Sequence, residues 1–129
     1  MLIAIDHGNR LCKGAHMEPF ISGLTESEVE PFGPNVLKYR SRYYQLTDQR
    51  IPYRRDKTED DRFFILTLFG IAKEIEAQGG YYPGIIRIQL AVGLPPAHYG
   101  AQYEAFTRYF SGRGVVTFAY NRKSDSISV

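Results

Sequence analysis

The sequence predicts an α/β domain in which a mixed sheet is packed with helices and carries a small β outgrowth. Three observations predict it. A β-branched run without polar interruption, Leu2 to Ile5, opens the chain and stops at turn chemistry, Asp6-His7-Gly8-Asn9. Residues 59 to 78 repeat apolar side chains at helical spacing. Ile85 to Val92 then leads through Gly93-Leu94-Pro95-Pro96 into a second helical pattern over 97 to 110 and a strand at Val115 to Tyr120. That order of strand, helix and strand is a crossover unit.

The first strand hands over to a second through a glycine turn. Asp6 stands at its carboxyl end. Gly8 has no Cβ to hold an anion away from backbone N–H groups, and Asn9 adds an amide donor. Lys13, returning on the second strand, places a point charge beside the same anion. Asp6 would repel phosphate, so its role is to hold a divalent cation through water. An ordinary tight hairpin with incidental charges is the plainer reading of the same residues. Cys12 alternates with Lys13 and suits a small core position, and His7 is taken as a turn residue.

A third strand is expected near Phe20 to Ser22, extending the hairpin and joining Ile85 to Val92 in one sheet. From Leu37 to Tyr43 basic residues alternate with Leu37, Tyr39, Ser41 and Tyr43, the period of a strand with one face in water. Residues 36 to 55 form the outgrowth. Lys38, Arg40, Arg42, Arg50, Arg54 and Arg55 crowd there among Tyr39, Tyr43, Tyr44 and Tyr53. Such interleaving suits single-stranded nucleic acid, yet equally a solvated sheet face whose charges discourage edge pairing. A net charge of +2 favours the solvated face.

Thr58 as N-cap, with acids at Glu59 to Asp61, starts the first helix. Phe64, Leu68, Ile71, Ala72 and Ile75 form its stripe, which Phe63, Ile65 and Phe69 widen until the middle is apolar nearly all round. Gly79-Gly80 ends it. Gly70 is read as a point of close approach. Pro95-Pro96 starts the second helix, and as a turn at the carboxyl end of a central strand it would also suit the border of a ligand cleft. Val115 to Tyr120, a turn at Asn121 to Ser124, and a partner strand holding Ile127 and Val129 close the chain.

With 129 residues, 43% hydrophobic content and no low-complexity run, the chain is a single folded domain, residues 1–129. No basic n-region precedes Leu2, and no apolar stretch approaches membrane-spanning length, so a membrane partner is not expected. A single cysteine rules out an internal disulfide and fits a reducing, cytoplasmic setting. His7, His16 and His98 lack zinc-ligand spacing. The chain has no Walker-type lysine motif and no dinucleotide fingerprint.

Asp6-x-Gly8 followed by Lys13 after an N-terminal apolar strand resembles the first phosphate motif of the actin-type ATPase superfamily. Asp6-His7-Gly8-Asn9, Phe20-Ile21-Ser22-Gly23-Leu24, Leu66-Thr67-Leu68 with Ile71-Ala72, and Val92-Gly93-Leu94-Pro95 followed by Tyr99, Tyr103 and Phe106 narrow the resemblance to ParM-like segregation proteins of plasmids and phages. Arg10 and Asn9 depart from the actin pattern, where a small residue and Ser or Thr are usual. The resemblance implies the first lobe of a ribonuclease-H-like, actin-type fold. It implies Mg-ATP held by Asp6, Gly8, Asn9 and Lys13, the magnesium water-bridged to Asp6. It further implies a second lobe beyond Val129 that completes the site, no catalytic residue on this half, self-association into filaments, and DNA reached through an adaptor protein. Two alternatives stand beside it: a non-catalytic truncated interaction module, and a small nucleic-acid-binding domain using the 38 to 55 patch.

Overall fold

A computed structural model of the chain describes residues 1–8, 10–48, 61–80, 84–93 and 114–129, with the side chains of 61–63 excepted. The described elements are strands β1 (Leu2–His7), β2 (Leu11–Gly14), β3 (Phe20–Ile21), β4 (Leu24–Ser27), β5 (Val36–Tyr39) and β6 (Arg42–Leu46), helix α1 (Asp61–Ala77), and strands β7 (Ile85–Arg87), β8 (Gln89–Gly93), β9 (Val115–Tyr120) and β10 (Lys123–Ser128). The strands form two sheets. A four-stranded mixed sheet runs β3-β2-β1-β8, with β8 parallel to β1 and the hairpin antiparallel. A six-stranded sheet runs β4-β6-β5-β9-β10-β7.

The single strand expected over Ile85 to Val92 is therefore divided between the sheets. β7 pairs with β10, β8 pairs with β1, and Ile88 sits at the bend. Hydrogen bonds on either side of the bend explain it. The Ile88 N–H donates to the Ser128 carbonyl at 2.8 Å, whereas the Gln89 N–H donates to the Met1 carbonyl at 2.8 Å. Adjacent residues thus satisfy opposite sheets, which a linear apolar run does not reveal.

Helix α1 packs against both sheets. Ile3, Ile5 and His7 alternate with exposed Leu2, Ala4 and Asp6, so one face of β1 meets the helix and the other carries the carboxylate. A Cβ on Gly70 would lie 2.8 Å from Ile5 Cδ1, so only glycine lets the helix approach β1 this closely. On the other sheet, Phe69 meets Tyr120 edge-on at 5.9 Å and Phe64 meets Tyr39 at 5.5 Å. Residues 64 to 72 of the helix are all buried, which is why its sequence is apolar nearly all round. Burying each large side chain there contributes about 2 kcal/mol.

The helix stops at Gly79-Gly80 by a defined mechanism. The Gly80 N–H donates to the Ile75 carbonyl and the Gly79 N–H to the Glu76 carbonyl, with Gly79 at φ 122°. This is the Schellman arrangement, and its left-handed residue favours glycine. The expected N-cap Thr58, the second helix at 97 to 110 with Tyr99, Tyr103 and Phe106, and Arg50, Tyr53, Arg54 and Arg55 lie outside the described residues.

Leu37 to Tyr43 is two strands rather than one. Arg40 and Ser41 take φ values of 49° and 67°, the two left-handed positions of a tight hairpin, and join β5 to β6. Arg-Ser lacks the glycine or asparagine that announces such a turn. Asn121-Arg122, with φ 47° and 71°, makes the same turn between β9 and β10. The β5–β6 hairpin pairs with β9 and so shares a sheet with the last strands.

Candidate functional site

Asp6, Lys13 and Gly93 form a row across the four-stranded sheet. Asp6 is the register partner of Lys13 on one side and of Gly93 on the other. Directly opposed residues project from the same face of a sheet, so the carboxylate, the ammonium stem and the bare glycine share the surface turned away from α1. Asp6 and Lys13 are both exposed. A Cβ on Gly93 would come within 2.6 Å of Asp6 Oδ1, well inside contact distance, so the carboxylate lies directly over that glycine. Gly93 is thus a site residue that sequence reading placed only in a turn. Its signal was a glycine closing a central strand, where open α/β sheets collect ligands.

The turn itself is braced. Gly8 donates its N–H to the Leu11 carbonyl at 3.0 Å, closing the hairpin. This glycine therefore offers an open, Cβ-free surface rather than its own N–H to an anion. A Cβ there would stand 3.1 Å from the Leu11 carbonyl oxygen. The Ser22 N–H donates to the Arg10 carbonyl at 2.9 Å, tying the exit of β3 to the turn. Asn9 lies outside the described residues. Among the described residues no group of three or more His, Cys, Asp or Glu side chains is placed to hold a metal ion.

His7 is a core residue and not a turn residue. It ends β1 on the inward face, fully buried, with Nε2 hydrogen-bonded to Thr67 Oγ1 of α1 at 2.7 Å. Cys12 is buried beside it, its Sγ 3.9 Å from His7 Nδ1. The period-two pattern that buries Ile3 and Ile5 also buries His7, and Thr67 supplies the partner that a buried imidazole needs.

Glu74 was not foreseen. It is buried on α1 and accepts from the backbone N–H of His16 at 2.8 Å and of Met17 at 2.6 Å through Oε2, while Oε1 lies 3.1 Å from His16 Nδ1. The bend that leaves β2 after Lys13 is thereby fastened to the helix. Gly14 makes room, since a Cβ there would stand 2.9 Å from Glu74 Oε2. A glutamate on an otherwise apolar stripe, at the position where the helix faces a loop of orphan N–H groups, was the available signal.

A second polar cluster joins the sheets on the far side of α1. Asn35 Oδ1 accepts from Lys73 Nζ at 3.0 Å and from the Tyr120 hydroxyl at 2.9 Å, and the Lys73 ammonium lies over the Phe20 and Tyr120 rings at 5.7 and 5.8 Å. Burial lowers the Lys73 pKa, an effect opposed by nearby Glu76. Burial, reinforced by Glu76, raises Tyr120 and Asp125 above their ordinary values. Lys123 partly offsets the shift at Asp125. A carboxyl raised in the fold is stabilising while protonated, and that contribution is lost as pH climbs from the ordinary aspartate range through the raised value. Asp125→Asn is therefore expected to raise the melting temperature modestly at neutral pH, with the gain vanishing in acid below the ordinary range. Equal melting temperatures at neutral pH would show that solvent relieves the desolvation.

The basic face of the β5–β6 hairpin is partly neutralised. Arg42 pairs with Glu26 and lies 3.5 Å from Glu28, and Arg122 pairs with Glu30 at 3.2 Å. Lys38 lies over the Tyr43 ring and Arg40 over that of Tyr39. These local partners compete with the phosphates and bases that a nucleic-acid strand would bring. No described helix is long and apolar enough to cross a membrane.

The β1–β2 hairpin turning at Gly8, with β8 added parallel to β1 in the same sheet and α1 packed on one face, gives the class of fold. The fold is a partial actin-type, ribonuclease-H-like one. Its similarity to solved structures extends over almost the whole chain. The ParM protein of pSK41 superposes with a TM-score of 0.73 at 14% identity, covering 99% of this chain and 46% of that one. Ta0583, an archaeal actin homologue, gives 0.71 at 12% identity over 99% and 43%. AlfA of B. subtilis plasmid pLS32, in its filament, gives 0.60 at 18% identity over 99% and 52%. The chain thus spans about half the length of the solved chains it matches. No family model and no curated protein sequence matches it.

Proposed function

We propose that this chain supplies the nucleotide-binding wall of the first lobe of a ParM-like, filament-forming ATPase that segregates plasmid or phage DNA. The observation that carries the reading is the row Lys13–Asp6–Gly93 across β2, β1 and β8 near the carboxyl end of β1, beside the Gly8 turn. A cation on a strand, a carboxylate suited to water-bridged magnesium and two glycines that clear the approach are the parts a polyphosphate requires. Magnesium, when bound with the nucleotide, would neutralise phosphate charge, and Asp6 would hold its water shell. Lys13 would hold a phosphate oxygen, and Gly8 and Gly93 would keep side chains out of the way. Asn9 would add its amide donor from the turn.

Similarity to a ParM protein and to the filament structure of a plasmid's AlfA supports the biological setting. Self-association of copies, and DNA engaged through an adaptor protein, belong to the same proposal, as does action in the cytoplasm. In this proposal the opposite wall of the cleft is supplied by other polypeptide, and the chain spans about half the length of its structural neighbours. Weak binding of Mg-ATP and negligible turnover are expected of this chain alone.

Titration of the isotope-labelled chain with Mg-ATP, followed by amide NMR, tests the reading. Shifts should cluster at residues 6–13 and 93, and Lys13→Ala should weaken binding by about tenfold, in line with the loss of one charge-assisted contact, while leaving the melting temperature unchanged. Unaltered affinity in the alanine variant would end the phosphate-binding assignment.

A further inference from the structure

We infer that His7 is a positioning residue for the phosphate site, its bond to Thr67 fixing where β1 delivers Asp6 and the Gly8 turn. This rests on the nucleotide reading above and specifies what holds that site in shape. His7 stands between Asp6 and Gly8, its Cα about 3.8 Å from each of theirs. Its side chain is buried on the opposite face, and both ring nitrogens have neighbours. Nε2 meets Thr67 Oγ1 of α1 at 2.7 Å, and Nδ1 lies 3.9 Å from Cys12 Sγ of β2. One ring thus joins β1 to the helix and to the strand that carries Lys13. His7 and Cys12 are register partners, as Asp6 and Lys13 are one step earlier in the ladder. The buried pair therefore stands immediately behind the charged one.

Burial alone does not call for an imidazole at this position. Ile3 and Ile5 fill the preceding inward positions of β1, and an apolar pair in place of His7 and Thr67 would leave no polar group to satisfy. Replacing both partners of a buried hydrogen bond by apolar groups of similar shape is commonly neutral or stabilising. What the bond adds is direction, because apolar contact tolerates sliding whereas a hydrogen bond fixes distance and angle. Such residues are also placed selectively. Among the described residues the buried polar or charged side chains are His7, Ser22, Thr67 and Glu74, and none of the four lies in the six-stranded sheet. Ser22 is tied to the turn through the Arg10 carbonyl, and Glu74 holds the bend that follows β2.

Helix α1 presents the matching side. Thr67, Gly70 and Glu74 follow at i, i+3 and i+7 along one helix face, and they meet His7, Ile5 and the bend at His16-Met17 in turn. Two turns of helix, about 10 Å at 1.5 Å per residue, separate the two polar fastenings. A hairpin pinned at both points cannot rock on the helix. His7 pins the end that bears Asp6 and Gly8, so slack in this bond falls on the phosphate site. Groups that hold a ligand need placement to within about 0.5 Å, and slack there is read as lost affinity.

Mg-ATP titration and amide hydrogen exchange, both followed by NMR on the isotope-labelled chain, test this. The double variant His7→Leu with Thr67→Val should melt no lower than the unaltered chain, yet its Mg-ATP affinity should fall about tenfold. Without nucleotide, the Gly8 amide, which donates to the Leu11 carbonyl, should exchange about tenfold faster in that variant. Thr67→Val alone should show the same losses of affinity and protection, and Thr67→Ser, which keeps the hydroxyl, should show neither. These two single variants carry the comparison should the double variant not fold. Phe69→Leu trims the contact with Tyr120 of the other sheet, and it should lower the melting temperature with Mg-ATP affinity intact. Parent-like affinity in the double variant, a Gly8 amide exchanging at the parent's rate, or an equal loss of affinity in Phe69→Leu would each overturn the inference and leave the nucleotide reading standing. An unaltered chain that does not bind Mg-ATP would overturn both, so the two failures are told apart.

Discussion

Replacing Glu74 by alanine is expected to cost about 3 kcal/mol of folding stability, the value of two hydrogen bonds to a charged acceptor with their buried donors left unpaired. The backbone N–H groups of His16 and Met17 both end on Oε2 of this buried carboxylate. Against a domain stability of about 5–15 kcal/mol, that loss is large. Glu74→Gln keeps one oxygen acceptor and should fall between the two. Urea unfolding monitored by circular dichroism reads the effect as a lower midpoint with an unchanged slope. An alanine variant within about 0.5 kcal/mol of the parent, the range of an unremarkable surface substitution, would mean that the fastening does not exist in solution.

The second large effect is expected at Gly93, and it should fall on binding instead of stability. In an open strand position, Gly→Ala stabilises slightly by restricting the unfolded chain. Here the new methyl would meet Asp6 Oδ1 at 2.6 Å, and the flexible carboxylate must swing aside. Mg-ATP affinity should drop by about tenfold, equivalent to about 1.4 kcal/mol, with a melting temperature close to that of the parent. Gly70→Ala provides the contrast, because its methyl would strike Ile5 Cδ1 in the core and should depress stability. Should Gly93→Ala bind as the parent does, Asp6 has no part in holding the metal-nucleotide.

Much of this was legible in sequence, and the reasons are physical. The hairpin with its Asp-Gly turn, the third strand, the apolar helix and its glycine stop were readable because periodicity and turn chemistry are local properties. The misread features depend on distant partners. Ile88 reads as the middle of one strand, yet its own N–H bonds to Ser128 and that of Gln89 bonds to Met1, residues near opposite ends of the chain. Arg40-Ser41 turns without turn residues because sheet pairing on both sides imposes it. His7 and Glu74 are polar residues made acceptable in the interior by Thr67 and by the bend at His16-Met17. Gly93 joined the site only once its register with Asp6 was known.

The bent run Ile85–Gly93 has a mechanical consequence. Its first residues pair with β10 in the six-stranded sheet, and its last lies under the carboxylate proposed to meet magnesium. An extended backbone resists stretching along its length, and this one is bonded to a different sheet on each side of Ile88. Any sliding of one sheet against the other must bend the chain at that residue. The run is thus a single tie rod between the two sheets, and a shift at its β7 end is carried to the glycine beneath Asp6.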